Sequence, residues 1–133
     1  MRGVQIRDMH ERGFLAVDLQ HILDLFGART IQSLWRASEV WATGQETGEA
    51  AQELEALADG QPFIAGEHLS RLAHRIVQVI DGEFSAFERS SDSPWIIIRA
   101  VDSSFYEVFS TEPAVLDRVR ASFRKVSDCD YVA

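Results

Sequence analysis

Apolar positions along this chain follow two different periods. Between residues 18 and 80 the spacing is mostly that of a helix. Leu19, Ile22, Leu23 and Phe26 share one face behind Asp18, a good N-cap, and Gly27 is placed to end the helix in a left-handed conformation. Ile31, Leu34, Trp35, Ser38 and Trp41 keep helical spacing between Thr30 and Thr43, and Gly44 follows. Ala50, Ala51, Leu54, Leu57 and Ala58 predict a third helix from Thr47 to Ala58, before Gly60 and Pro62. Leu69, Leu72, Ala73, Ile76 and Ile80 form the clearest stripe and predict a fourth from Glu67 to Ile80, closed by Gly82.

The period then changes. Phe84 to Arg89, Trp95 to Val101 and Phe105 to Ser110 read as three strands joined by turns at Ser90–Pro94 and at Asp102-Ser103-Ser104. The run Ile96-Ile97-Ile98 is apolar on both faces, which predicts a central strand. Its alternation puts Ile96 and Ile98 on one face, and Trp95, Ile97 and Arg99 on the other. Thr111-Glu112-Pro113 opens a last helix with Val115, Leu116, Val119 and Phe123 inward, and Ser127 to Val132 reads as a last strand. Residues 3–17 hold two short strand-like runs, Val4 with Ile6 and Phe14 to Val17, and fit neither period clearly. The fold class expected is α+β: a helical N-terminal part of about four helices packed on a small antiparallel β-meander, with a C-terminal helix and a last strand, in one domain over residues 1–133.

Composition narrows the function classes. The net charge is −8, and its distribution is uneven. Residues 1–44 are neutral, residues 45–92 hold ten acids against three bases, and residues 93–133 hold six against five. Such a chain repels phosphates, so nucleic acid is not an expected partner, whereas a basic partner protein is attracted. No apolar run approaches a membrane span, no secretory leader is apparent, and one cysteine excludes an intrachain disulfide. A cytoplasmic location is expected, with neither membrane nor cofactor.

Candidate chemistry is sparse. Ser103 and Ser104 lack the surroundings of an activated nucleophile, and Asp102-Ser103-Ser104 reads as a capped hairpin turn. His68 and His74 lie six residues apart, on different sides of one helix, so they do not chelate one metal. His21 has Asp18 and Asp24 three residues to either side, an arrangement that orients an imidazole for proton transfer but is commoner as a solvated cluster. Asp128-Cys129-Asp130 is expected to be a charged edge strand with Cys129 inward. The helix pair around Gly27 resembles a helix-turn-helix in outline only.

The feature weighed most is acidic. Glu46, Glu49 and Glu53 form one ridge of the third helix and carry part of the excess charge, which suits steering of a basic partner. A second candidate surface is the sheet face holding Trp95 and Arg99, with Glu107 across the hairpin. The expected function is a protein-binding module of the inhibitor or immunity type that neutralises a basic partner. The alternatives are a ligand-binding domain or enzyme with a pocket between sheet and helices, and a structural or homo-oligomeric subunit.

Overall fold

In a computed structural model the described residues are 1–44 and 48–132. Seven strands form one wholly antiparallel sheet. They are β1 (Arg2–Ile6), β2 (Leu34–Gly44), β3 (Ile64–Ala65), β4 (Ile76–Phe87), β5 (Ile96–Val101), β6 (Phe105–Phe109) and β7 (Val126–Asp130), in spatial order β3-β2-β4-β5-β6-β1-β7. The five helices are α1 (Leu19–Leu25), α2 (Gly27–Gln32), α3 (Glu49–Gly60), α4 (Gly66–Arg75) and α5 (Pro113–Ser122). The class is α+β, as the segregated periods predict.

The three predicted strands form the middle of the sheet, as consecutive neighbours β4-β5-β6. β5 is central, as its three isoleucines require. The row Val4, Val108, Ile98, Phe84 and Ala37 runs across five strands and is at most 4% exposed. Against it pack Leu19, Ile22 and Leu23 of α1, Leu54 of α3, Leu69 and Leu72 of α4 and Val119 of α5. Burying such side chains contributes roughly 1.5–3 kcal/mol each.

Two expectations fail, and both make the sheet larger than a small meander. The helix predicted from Thr30 to Thr43 is instead β2 after a short α2. Trp35 and Ala37 are buried, while Leu34 and Trp41 are 47% and 58% exposed. The side chains alternate in and out, with Trp35 opposite Ala86 and Ala37 opposite Phe84 on β4. The fourth helix ends at Arg75 rather than Ile80. Ile76, Val77, Val79 and Ile80 are β-branched and stiff at χ1, and they open the twelve-residue β4. The undecided N-terminus supplies β1, paired with β6 and β7, whereas Phe14 is exposed. β7 falls where the last strand is predicted and forms one edge of the sheet.

Local signals explain the ends of several elements. Asp18 caps α1, its carboxylate accepting the Leu19 N–H at 2.9 Å. Gly27 follows with φ of 47°, in the left-handed region that suits glycine. α5 begins with Pro113 in its first turn, and its N-cap is Glu112 rather than Thr111. Asp102 and Ser103 have φ of 48° and 58°, and the Ser104 N–H donates to the Val101 carbonyl at 2.9 Å. Both central residues of this tight turn are left-handed, as in type I′, and it sits in a three-residue loop between the paired Val101 and Phe105, so this stretch is the turn the sequence suggests.

Candidate functional site

The face of the sheet opposite the core carries a polar row one residue out of phase with it. Gln5, Glu107, Arg99, Glu83 and Ser38 stand side by side on β1, β6, β5, β4 and β2. A parallel row reads Cys129, Gly3, Phe109, Ile97, Ser85 and Arg36. Strand alternation dictates both rows once the buried row is fixed.

This face is concave. Tyr131 follows the edge strand β7, yet its hydroxyl donates to the Glu83 carboxylate on β4, at 3.2 and 3.3 Å. Four strand spacings of about 4.8 Å separate β7 from β4 in a flat sheet, more than the two side chains span. The sheet therefore curls. Phe109 lies under the curl, edge-on to Tyr131 with centroids 5.1 Å apart, and is fully buried. Gly3 permits this, since a Cβ there would overlap the Phe109 ring.

Arg99 organises the middle of the face. Its guanidinium donates to Glu83 at 2.7 and 3.1 Å, lies 3.5 Å from Glu107, and stacks 4.7 Å from the Tyr131 ring centroid. Burial alone lowers the Arg99 pKa, but the Glu83 bond and the surrounding negative charges outweigh it and raise the value. Burial, followed by the charges of Glu107 and Asp130, pushes the Cys129 thiol up to about 11, so it is protonated at neutral pH and is a poor nucleophile.

Beside this network opens a cleft of about 750 Å³, whose lining includes Ser38, Glu39, Asp81, Glu83, Arg99 and Tyr131. Three of these residues are acids. The single cation, Arg99, is already engaged by carboxylates. Glu39 sits at a register shift in β2 with φ of 52°, and Asp81 holds the hairpin by accepting the Asp102 N–H at 2.8 Å. Trp41 stands directly opposite Asp81 across the β2–β4 ladder, 58% exposed.

The predicted site residues are thus partly brought together. Arg99 and Glu107 meet on one open face, in register. Trp95 does not join them. It is 4% exposed, donates its indole N–H to Ser33 Oγ at 2.9 Å, and packs edge-on against Phe26 and Trp35. The Arg29 guanidinium covers its other side, 4.0 Å from the ring centroid. Trp95 precedes β5, so the strand's alternation does not extend to it. Glu46 lies outside the described residues. Glu49 and Glu53 are on α3, but each faces a partner on α4: Glu49 is 4.0 Å from Arg75, and Glu53 accepts from His68 at 2.5 Å. The ridge is therefore partly spent in holding two helices together.

The remaining candidates have structural roles. His21 completes the cap of α1 rather than orienting toward both flanking acids. Asp24 instead accepts from His74. Asp128, on the β7 edge, pairs with Arg120. Among the described residues no group of three His, Cys, Asp or Glu side chains is placed to hold a metal, and no helix is long and apolar enough to cross a membrane. The sequence pattern does not single out Glu39, Asp81, Glu83 or Tyr131, and it places Trp41 on a helix, as a core or interface residue that matters for binding only if exposed. The available signal for Glu83 was the alternation of Glu83, Ser85 and Phe87 against Phe84 and Ala86, continued one residue earlier.

No family model, no curated protein and no solved structure matches this chain.

Proposed function

We propose that this chain is a protein-binding module of the inhibitor or immunity type, which neutralises a basic partner by seating a cationic segment of it in the open-face cleft. The observation that carries this reading is the pairing of an acidic cleft with an exposed tryptophan at its side. Glu39, Asp81 and Glu83 face one committed arginine there, and Trp41 offers an aromatic surface of the kind that anchors interfaces and stacks on cations. Coulomb attraction from the excess of acids raises the association rate, while Trp41 slows dissociation. The charged network of Arg99, Glu83 and Glu107 keeps the floor of the cleft in one arrangement, which lowers the entropic cost of binding.

Trp35 and Trp95 are buried, so solvent-sensitive fluorescence belongs to Trp41. An oligoarginine peptide is expected to change that emission and to bind more weakly as salt rises. Trp41→Ala is expected to weaken binding by about 2 kcal/mol, the scale of an interface hot spot. Glu39→Gln with Asp81→Asn is expected to slow association and flatten the salt dependence. Equal binding of a neutral peptide of the same length, or no binding at all, would overturn the reading.

A further inference from the structure

Helix α1 makes one histidine contact at each end, and the two contacts demand opposite protonation states. At the N-terminal end the Asp18 backbone N–H donates to His21 Nδ1 at 2.9 Å. A ring nitrogen accepts only through a lone pair, so this contact requires a His21 ring with its proton on Nε2 alone. At the other end, His74 of α4 places Nδ1 at 2.7 Å from the Ser70 carbonyl oxygen and Nε2 at 3.0 Å from Asp24 Oδ2. Two acceptors require two N–H donors, and only the imidazolium supplies both. We infer that α1 is a pH-divided helix: acid tightens its attachment to α4 through His74 and Asp24, whereas the Asp18 N–H contact at its other end exists only with a neutral His21 ring.

The surroundings leave these two contacts in charge. α3 faces α4 with Glu49 and Glu53, which are engaged by Arg75 and His68. The charged residue of α2, Arg29, is tied to Glu88 and Glu112. On α5, Asp117 pairs with Arg120, leaving Arg118 as that helix's other charge. Arg36, Glu83 and Asp81 of the strands under α4 belong to the opposite sheet face or its cleft. On α4 itself, Arg71 and Arg75 flank His74, with Glu67 a helix length away. The Ser70 carbonyl first, and then Asp24, raise the His74 pKa above its ordinary value of 6.5, against the lowering effect of burial. A raised value means the stabilisation is complete below the unfolded-state pKa and is lost as pH rises through the folded-state value. The His21 contact has the opposite requirement, because a ring with N–H on both nitrogens presents N–H to N–H. The two contacts are made at once only with His74 charged and His21 neutral. The His21 contact is not the only anchor of the N-terminus. The Asp18 carboxylate still accepts from Val79 N–H at 3.2 Å and from the Tyr106 hydroxyl at 2.5 Å.

Histidine side-chain ¹⁵N shifts and amide exchange of the wild-type chain, followed from about pH 5 to pH 8, test this directly. His21 is expected to report the Nε2–H tautomer at the alkaline end. The Asp18 amide, corrected for intrinsic exchange, is expected to be protected where the His21 shifts report a neutral ring and to lose protection where they report the imidazolium. His74 is expected to remain imidazolium above pH 6.5, and the last turn of α1 to gain protection in acid. Asp24→Asn should lower the His74 titration towards 6.5 and abolish that gain. His21→Gln, which caps without titrating, should keep Asp18 protected at both extremes. An Nδ1–H tautomer of His21, a His74 titration at or below 6.5, or protection changing in the same direction at both ends overturns the inference. All three outcomes are read on the wild type, so they stand even if a variant fails to fold.

Discussion

The two faces of the sheet use the same strands to opposite ends. On the covered face the row from Val4 to Ala37 is apolar at every position and closed to water. One residue along each strand, the row from Gln5 to Ser38 is polar at every position. Yet the side chains of Arg99 and Glu107 are only 22% and 14% exposed. The open face is therefore not merely a solvated surface. Its charges are half-buried by one another and by Tyr131, as expected of a surface kept in one arrangement. The covered face resists change by volume and the open face by charge balance, and each is broken by a different kind of substitution.

The largest expected effect lies on the covered face. Phe84 is fully buried at the centre of the apolar row. Phe84→Ala removes its contacts and leaves a cavity, costing about 3–5 kcal/mol in denaturant unfolding. Its neighbour Ser85 points to the other side, and Ser85→Ala is expected to change stability by no more than about 0.5 kcal/mol. Comparable losses at both positions would mean that the two faces are not divided as described.

On the open face, the intermediate effect is Arg99→Ala. It leaves Glu83 and Glu107 with no cation between them, at an expected cost of roughly 1–3 kcal/mol. Adding Glu83→Gln and Glu107→Gln to that variant should restore part of the loss, because what destabilises it is uncompensated charge rather than missing volume. A single variant as stable as the wild type, or one that the two glutamines make worse, would reduce the network to ordinary surface ion pairs worth little.

What the sequence made legible follows from how local each signal is. The hairpin of β5 and β6 could be read because its pattern and its turn lie within fifteen residues, and with it came the facing pair Arg99 and Glu107. β2 could not be read, because its apolar residues satisfy both periods. Ile31, Leu34, Trp35, Ser38 and Trp41 fit a helix, while Trp35 and Ala37 against Leu34 and Arg36 fit a strand. Only pairing with β4, some thirty to fifty residues away, decides between them. The same ambiguity joined Ile76 and Ile80 to the stripe of α4. It also hid Trp41, which a helix would bury and the strand exposes. Tyr131 was beyond reach for another reason: its place over Glu83 depends on the curl of the whole sheet.

The smallest expected effect lies in the turn that joins β5 to β6. Asp102 and Ser103 both hold positive φ, where residues other than glycine, asparagine and aspartate are uncommon. The turn is nevertheless well fixed, since the Ser103 N–H donates to the Ile80 carbonyl at 3.0 Å and the Asp102 N–H to Asp81. Neither contact uses an Asp102 or Ser103 side chain. Asn-Gly is the pair that a type I′ turn favours most, so Asp102→Asn with Ser103→Gly is expected to stabilise the chain by about 0.5–1 kcal/mol. For a domain of this size the unfolding temperature rises by roughly 2–6 °C. Oligoarginine binding is expected to persist in that variant, slightly weakened by the lost carboxylate at position 102. A serine used as a nucleophile behaves otherwise, because glycine at 103 removes the reacting oxygen whatever it does for stability. A more stable protein that still binds the peptide is what a turn predicts. A more stable protein that has lost its function would return Ser103 to the site.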